Sequence, residues 1–257
     1  MHPAPLIDVY TICWNEQRML PYFLRHYGQF ARRIVVSDDG STDSTVQIAR
    51  SHPLTEVRPS GLAREFDGEA ERLALREQQW RESRGRADWV VVVDCDEFLW
   101  HPDLVDYLRD CRRRGVTVPR TLGYEMVANH FPSTGAQIYD EIRNGVRANH
   151  MDKLVIFDPG AVDSMNYAVG RHHAQPAGRI AFDSDPGLLL LHYKHLGAKY
   201  VLPRYRELEG RRTVEDRWMG WSAHYEWPDQ LLLDWHRTAM QNAVDVLAPW
   251  TRMSSNG

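Results

Sequence analysis

The sequence predicts an α/β fold built on a doubly wound, mostly parallel sheet, and three observations carry that expectation. Strand-like and helix-like segments alternate up to about residue 115. The run Trp89 to Val93 is apolar without alternation, as an interior strand covered by helices on both faces would be. Clusters of polar residues follow directly on strand-like segments, where open α/β sheets hold their ligands.

Taken in order, Leu6 to Cys13 is a short apolar, β-branched run and reads as the first strand. Leu20, Phe23, Leu24, Tyr27 and Phe30 then recur at three- and four-residue steps, the pattern of an amphipathic helix with Pro21 in its first turn. Arg33 to Ser37 is a second strand, and Asp38-Asp39-Gly40-Ser41-Thr42-Asp43-Ser44 is turn and N-cap chemistry before a short helix through Val46, Ile48 and Ala49. Glu56 to Arg58 is a short third strand, Gly68 to Arg84 a polar helix, and Trp89 to Val93 the buried strand. Asp94-Cys95-Asp96-Glu97 ends that strand, and Pro102 opens a helix to about Arg114. Beyond this the pattern loosens: Thr117 to Val127, Lys153 to Phe157 and Leu188 to Tyr193 read as strands, Tyr200 to Glu209 and Pro228 to Leu247 as helices. With no repeat, linker or low-complexity tract, the 257 residues are expected to share one core.

Composition narrows the class. At 43% hydrophobic and 26% charged residues, the chain has ordinary globular usage, which excludes disordered and fibrous classes. The longest apolar run, Trp89 to Val93, is far short of the ~20 residues a membrane helix needs. The start of the chain lacks the basic and apolar stretches of a secretory signal. The three cysteines, Cys13, Cys95 and Cys111, cannot all pair with one another and suit a reducing cytoplasm. A formal net charge of −4 gives no electrostatic case for nucleic acid as the main partner.

The strand ends at Thr11 to Glu16, Asp38 to Asp43 and Asp94 to Glu97 are where the chemistry is expected, and two of them are densely acidic. Clustered carboxylates repel phosphate unless a divalent cation lies between them. Asp94 and Asp96 stand two residues apart, so on an extended chain they project to one side and could share a hard cation. Against this, an Asp-x-Asp can simply cap a turn; its place after buried valines favours the cation.

Asp94-Cys95-Asp96-Glu97-Phe98 resembles the metal-binding DxD of glycosyltransferases with the GT-A fold. Asn15-Glu16 after the first strand and Asp38-Asp39-Gly40-Ser41-Thr42-Asp43 after the second are similar to family-2 glycosyltransferases. The likeness runs from Ile7 to Leu99, and more loosely through Lys153, His172-His173 and Leu191-His192-Tyr193-Lys194, which are similar to a bacterial branch with DxDEF. It implies a single GT-A domain over 1–257, with a nucleotide-sugar half to about residue 115, and an acceptor half with mixed strands and C-terminal helices. Carried over by residue, it implies donor binding by Thr11, Cys13, Asn15, Glu16, Asp39, Asp94 and Lys153. Arg72 and Arg76 are the candidates for the arginine that precedes the DxD strand. Asp38 and Asp43 are better read as turn formers. The cation, Mn²⁺ or Mg²⁺, would be held by Asp94, Asp96 and His192, an imidazole favouring Mn²⁺. His192 could equally be a structural histidine, and of His172 and His173 at most one could be a ligand.

The function so implied is metal-dependent, inverting transfer from a nucleoside-diphosphate sugar, a UDP-sugar, to an acceptor that the sequence does not identify. A divalent ion stabilises the departing diphosphate, Lys153 or Lys194 could add a positive contact, and an Asp or Glu of the second half takes the acceptor's proton. Asp152, then Glu125, are the candidates for that base. The aromatic tail (Trp218, Trp221, Tyr225, Trp227, Trp235) could stack on sugar but is better explained by packing. Two alternatives stand beside this reading. A sugar-nucleotide-forming nucleotidyltransferase would want a glycine-rich basic loop where Trp14-Asn15-Glu16 stands. A non-catalytic nucleotide-binding module would bind without turnover.

Overall fold

Parallel strands dominate the first of two five-stranded sheets. In the computed structural model, which describes residues 3–62, 68–184 and 186–250, the chain begins with β1 (Ile7–Cys13), α1 (Leu20–Tyr27), β2 (Arg33–Asp38), α2 (Thr45–Ser51), β3 (Thr55–Pro59), α3 (Glu69–Gln79) and β4 (Trp89–Val92). It continues with β5 (Glu97–Trp100), α4 (Leu104–Arg113), β6 (Thr121–Ala128), α5 (Ile138–Glu141), β7 (Asn144–Arg147), β8 (Ile156–Phe157), β9 (Val162–Ser164) and β10 (Ala177–Gly178). The last part holds β11 (Leu188–Leu196), α6 (Ala198–Glu209), α7 (Val214–Met219), α8 (Asp229–Asn242) and β12 (Val244–Asp245).

The first sheet has the order β3-β2-β1-β4-β8, with β8 antiparallel and the rest parallel. The chain steps outward from β1 to β3, then returns to place β4 on the other side of β1. This reversal of winding leaves a crevice at the carboxyl ends of β1 and β4. The valine run behaves as its composition requires. Val91 and Val93 pack into one apolar cluster, Val90 and Val92 into another on the opposite face.

The second sheet, β12-β7-β6-β11-β5, is mixed: β11 runs parallel to β6 and antiparallel to β5. The first apolar cluster holds Val91 of one sheet and Leu190 of the other, so a common core joins them. Two expectations change here. Asp94 to Glu97 does not simply end the buried strand: Glu97 to Trp100 forms a strand of the second sheet, paired with Leu189 to His192. The final helix ends at Asn242, and Val244–Asp245 pairs with β7. Among the described residues no helix is long and apolar enough to cross a membrane. The cysteines Cys13, Cys95 and Cys111 are buried free thiols.

One core residue ties stability to pH. His26 on α1 is 3% exposed, and its Nε2 donates to the Leu99 carbonyl at 2.9 Å. Burial, only partly offset by that hydrogen bond, pushes its pKa down to about 4 from an ordinary 6.5. The unfolded chain therefore takes up a proton that the native state refuses. The contribution is complete above about pH 6.5 and is lost as pH falls through 4, a change of about 3 kcal/mol. His26→Gln is expected to flatten the dependence of the urea midpoint on pH across that window. An unaltered slope would remove His26 as its source.

Candidate active site

A cleft of about 470 Å³ opens at the crevice between β1 and β4. Each strand end delivers polar groups to it because the backbone there turns sharply. After β1, Asn15 takes a left-handed conformation (φ 50°), which asparagine tolerates. Its backbone N–H donates to Ser41 Oγ at 2.9 Å, and its Oδ1 accepts from the Thr42 N–H at 2.8 Å. Asp43 accepts from Thr45 and Gln17, and Asp38 accepts from the Ser41 N–H, so both act as turn formers. These bonds lock the first two loops together and leave Trp14, Glu16 and Asp39 lining the cleft.

Each of those three meets an arginine from beyond the sheet. Glu16 pairs with Arg204 at 2.5 Å, and Asp39 with Arg211 at 2.8 Å while accepting from Ser60 Oγ at 2.9 Å. Both guanidinium groups lie over the Trp14 ring, Arg211 at 4.4 Å and Arg204 at 5.4 Å. Burial, with Asp96 nearby, raises Glu16 to about 7 against the opposing pull of Arg204.

The Asp94–Glu97 segment departs from the extended geometry that would aim both aspartates one way. The Asp94 carbonyl accepts from the Glu97 N–H at 3.0 Å, so the chain turns, and the two carboxylates reach different partners. Asp94 Oδ1 accepts from Arg76 at 2.6 Å, and its Oδ2 faces Arg171 at 2.8 Å. Each Asp94 oxygen thus already has a guanidinium partner, an environment unlike that of Asp96. Burial would raise the Asp94 pKa, yet Arg171 and Arg76 hold it well below the ordinary carboxylate range. Glu97 is wholly buried between Lys153 (2.6 Å) and Arg171 (2.8 Å), and its Oε2 also accepts from the Asp94 N–H at 2.9 Å. Arg171 further donates to the Val92 carbonyl at 2.7 Å. This arginine itself sits at φ 55° after Gly170 at φ 70°, a left-handed pair that turns it back under the strand ends.

Asp96 instead faces the second sheet. Its Oδ2 stands 3.3 Å from His192 Nε2, while His192 Nδ1 is 2.8 Å from Glu125 Oε2. The β11–β6 register sets His192 opposite Glu125, and a bulge before His195 brings that ring within 3.8 Å of the same carboxylate. His150 Nε2 meets the other Glu125 oxygen at 3.2 Å. Burial opposes a charge on His192, but Glu125 and Asp96 raise its pKa to about 10. Among the described residues, no three His, Cys, Asp or Glu side chains form a ready-made cation cage.

The structure thus brings Glu16, Asp39, Arg72, Arg76, Asp94, Asp96, Lys153 and His192 to one cleft. It does not bring Thr11 and Cys13, whose side chains are buried within the sheet, or Asn15, whose amide oxygen is spent on Thr42. Neither expected base lines the cleft. Asp152 accepts from the Gly123 N–H at 2.7 Å and from Arg147 at 2.6 Å, holding β6 to the following segment where Met151 leaves Gly123 no room for a Cβ. Glu125 stands behind His192. His172 lines the cleft and His173 is exposed. Of the aromatic tail, Trp221 and Tyr225 line the cleft, Trp235 packs against His195 with ring centroids 3.9 Å apart and tilted, and Trp218 is exposed. Arg171, Arg204, Arg211 and His224 went unread in the sequence. The buried Glu97 in Asp-Cys-Asp-Glu-Phe does demand a cation, but spacing could not say which.

A doubly wound sheet with an acidic, arginine-braced cleft at its switch point, backed by a mixed second sheet, is the architecture of GT-A glycosyltransferases. Residues 8–166, well over half of the chain, match the sequence profile of glycosyl transferase family 2, and the chain belongs to that family. Among solved structures it is similar to Staphylococcus aureus TarS (1-349), with 14% identity and a TM-score of 0.42. That match covers 80% of this chain and 65% of the other. It is also similar to Mycobacterium tuberculosis glucosyl-3-phosphoglycerate synthase in complex with Mn²⁺, UDP and phosphoglyceric acid, with 20% identity and a TM-score of 0.35. There the match covers 47% of this chain and 43% of the other. A comparison with curated proteins finds no match.

Proposed function

We propose that this chain acts as one GT-A domain that transfers a sugar, with inversion, from a nucleoside-diphosphate sugar (a UDP-sugar) to an acceptor hydroxyl, in a reducing cytoplasm and with a divalent cation. The close approach of Asp96 Oδ2 to His192 Nε2, 3.3 Å apart at the cleft, carries this reading. A carboxylate oxygen and an imidazole nitrogen make a donor pair suited to Mn²⁺, and better to it than to Mg²⁺. Glu125, holding the other ring nitrogen, would keep the ring oriented so that Nε2 meets the ion, which would displace the proton that Glu125 and Asp96 stabilise on His192. Asp96 and His192 would hold the cation, and the rest of its shell would come from diphosphate oxygens and water. When bound, it supplies positive charge at the departing diphosphate.

The chain's own groups do the remainder. Trp14 and Asp39 form the wall suited to a nucleoside, the ring by stacking and the carboxylate by accepting from base or ribose. Arg204 and Arg211 pin that wall from α6 and the turn after it. Arg72 and Arg76, three and seven residues after Glu69 on one face of α3, bring positive charge to the same side as the diphosphate. Asp94 and Glu97 anchor Arg76, Arg171 and Lys153 rather than bind the ion.

The test is release of nucleoside diphosphate from a panel of sugar nucleotides, with Mn²⁺, with Mg²⁺ and with EDTA. Release from a UDP-sugar in Mn²⁺ that stops in EDTA is expected. Binding without release would favour a non-catalytic module, and consumption of a nucleoside triphosphate with a sugar phosphate would favour the nucleotidyltransferase.

A further inference from the structure

Charge pairing around the cleft has a single gap among the described residues. Every other cationic side chain lining it, from Arg72 on α3 to Arg212 after α6, has a carboxylate oxygen within 3.5 Å. Lys194 has neutral hydrogen-bond partners instead, and the charge of Asp96 reaches it only from beyond ion-pair distance. Its ammonium lies 3.2 Å from His224 Nε2 and 3.0 Å from the Tyr225 hydroxyl, and 4.5 Å above the Tyr225 ring. An ammonium has no lone pair, so it must donate to His224 Nε2. The ring is then neutral, with its proton on Nδ1 as a further donor. Lys194 keeps a third N–H as well. A cation withdrawn from water among aromatic rings is costly unless an anion joins it, and cation–π contact compensates only in part.

We propose that Lys194 and His224 form an oxyanion subsite for the acceptor, so that the acceptor is an acidic molecule carrying a phosphate or carboxylate near its reactive hydroxyl. The inference deepens the transferase reading and rests on it for the word acceptor. Position supports the acceptor side. The nucleoside wall of Trp14, Glu16 and Asp39 is fastened to α6 and the turn after it, whereas the Lys194 partners come from the segment after α7. Lys194 follows His192 by two residues on β11, which places it on the same face of the strand, ~6–7 Å further along. An anion held there would put a short acceptor beside the sugar that leaves the cation-bound diphosphate.

The experiment loads the protein with Mn²⁺ and UDP, so that the donor site is filled, and titrates inorganic phosphate in one arm and acetate in another by calorimetry. The wild type is expected to bind one of the two, which identifies the oxyanion. Lys194→Met is expected to weaken that binding about tenfold or more, the loss of a charge-assisted hydrogen bond and its charge, with UDP affinity unchanged within about twofold. His224→Gln, which leaves the ammonium in place, is expected to weaken it by about threefold or more and serves if the Lys194 variant does not fold. Unchanged anion binding in these variants, a loss that falls on UDP instead, or no binding of either anion by the wild type overturns the proposal. Failure of the wild type to bind UDP with Mn²⁺ would strike the transferase reading instead; anion titration of the protein alone then still tests Lys194.

Discussion

Asp96→Asn is expected to abolish cation-dependent sugar transfer, lowering kcat by about three orders of magnitude or more. A divalent ion at a departing diphosphate stabilises several kcal/mol of developing charge, and each 1.4 kcal/mol is tenfold in rate. The amide is nearly isosteric but carries no negative charge, so the site loses half of its donor pair. The fold should survive, because Asp96 contributes to the β5–β11 ladder through its backbone carbonyl, which accepts from the Tyr193 N–H at 2.8 Å. Initial rates of nucleoside diphosphate release across a Mn²⁺ titration check this. Wild-type rates in the variant would separate Asp96 from the cation.

Arg171→Met is expected to be the most damaging of the substitutions for stability, at about 3–5 kcal/mol, the cost of stranding a buried charge. Arg171 is 2% exposed and bridges Glu97 and Asp94 while donating to the Val92 carbonyl. Its removal leaves Glu97, which is wholly buried, with Lys153 and the Asp94 N–H and one cationic partner fewer. Urea denaturation measures the loss, and a change below about 1 kcal/mol would mean that water reaches these carboxylates. Adding Glu97→Gln should recover part of it, since the second change removes one of the stranded charges. The sign with pH is also set. Burial would raise the Glu97 pKa, but Lys153 and Arg171 hold it below the ordinary value of 4.5. Its contribution is therefore present above that pH and fades as pH falls through the depressed native value.

The first sheet was legible because its strands are short apolar runs ended by turn chemistry, and a strand with both faces buried announces itself through Trp89 to Val93. The second sheet was not. Asp94 to Glu97 reads as the end of β4, and only pairing with Leu189 to His192 reveals Glu97 to Trp100 as a strand. Strands such as Val244–Asp245 are too short for periodicity to register. Within the site, His192 was legible as the polar end of an apolar strand, and its meeting with Asp96 follows from that position. That the two aspartates meet different partners was hidden. It depends on a turn at Asp94–Glu97 and on Arg171, whose backbone conformation no local pattern foretold. Glu125, expected as a candidate base, stands behind the His192 imidazole instead of lining the cleft, which its place on a strand could not reveal.

Binding of Mn²⁺ in the presence of UDP, followed by electron paramagnetic resonance in the wild type and in Asp94→Asn, Asp96→Asn and His192→Ala, tests most directly which side chains hold the cation. Asp96→Asn and His192→Ala should each weaken Mn²⁺ by about 10–100-fold, while Asp94→Asn keeps its affinity within a few-fold. Equal loss in Asp94→Asn and Asp96→Asn, with His192→Ala unaffected, would contradict the assignment.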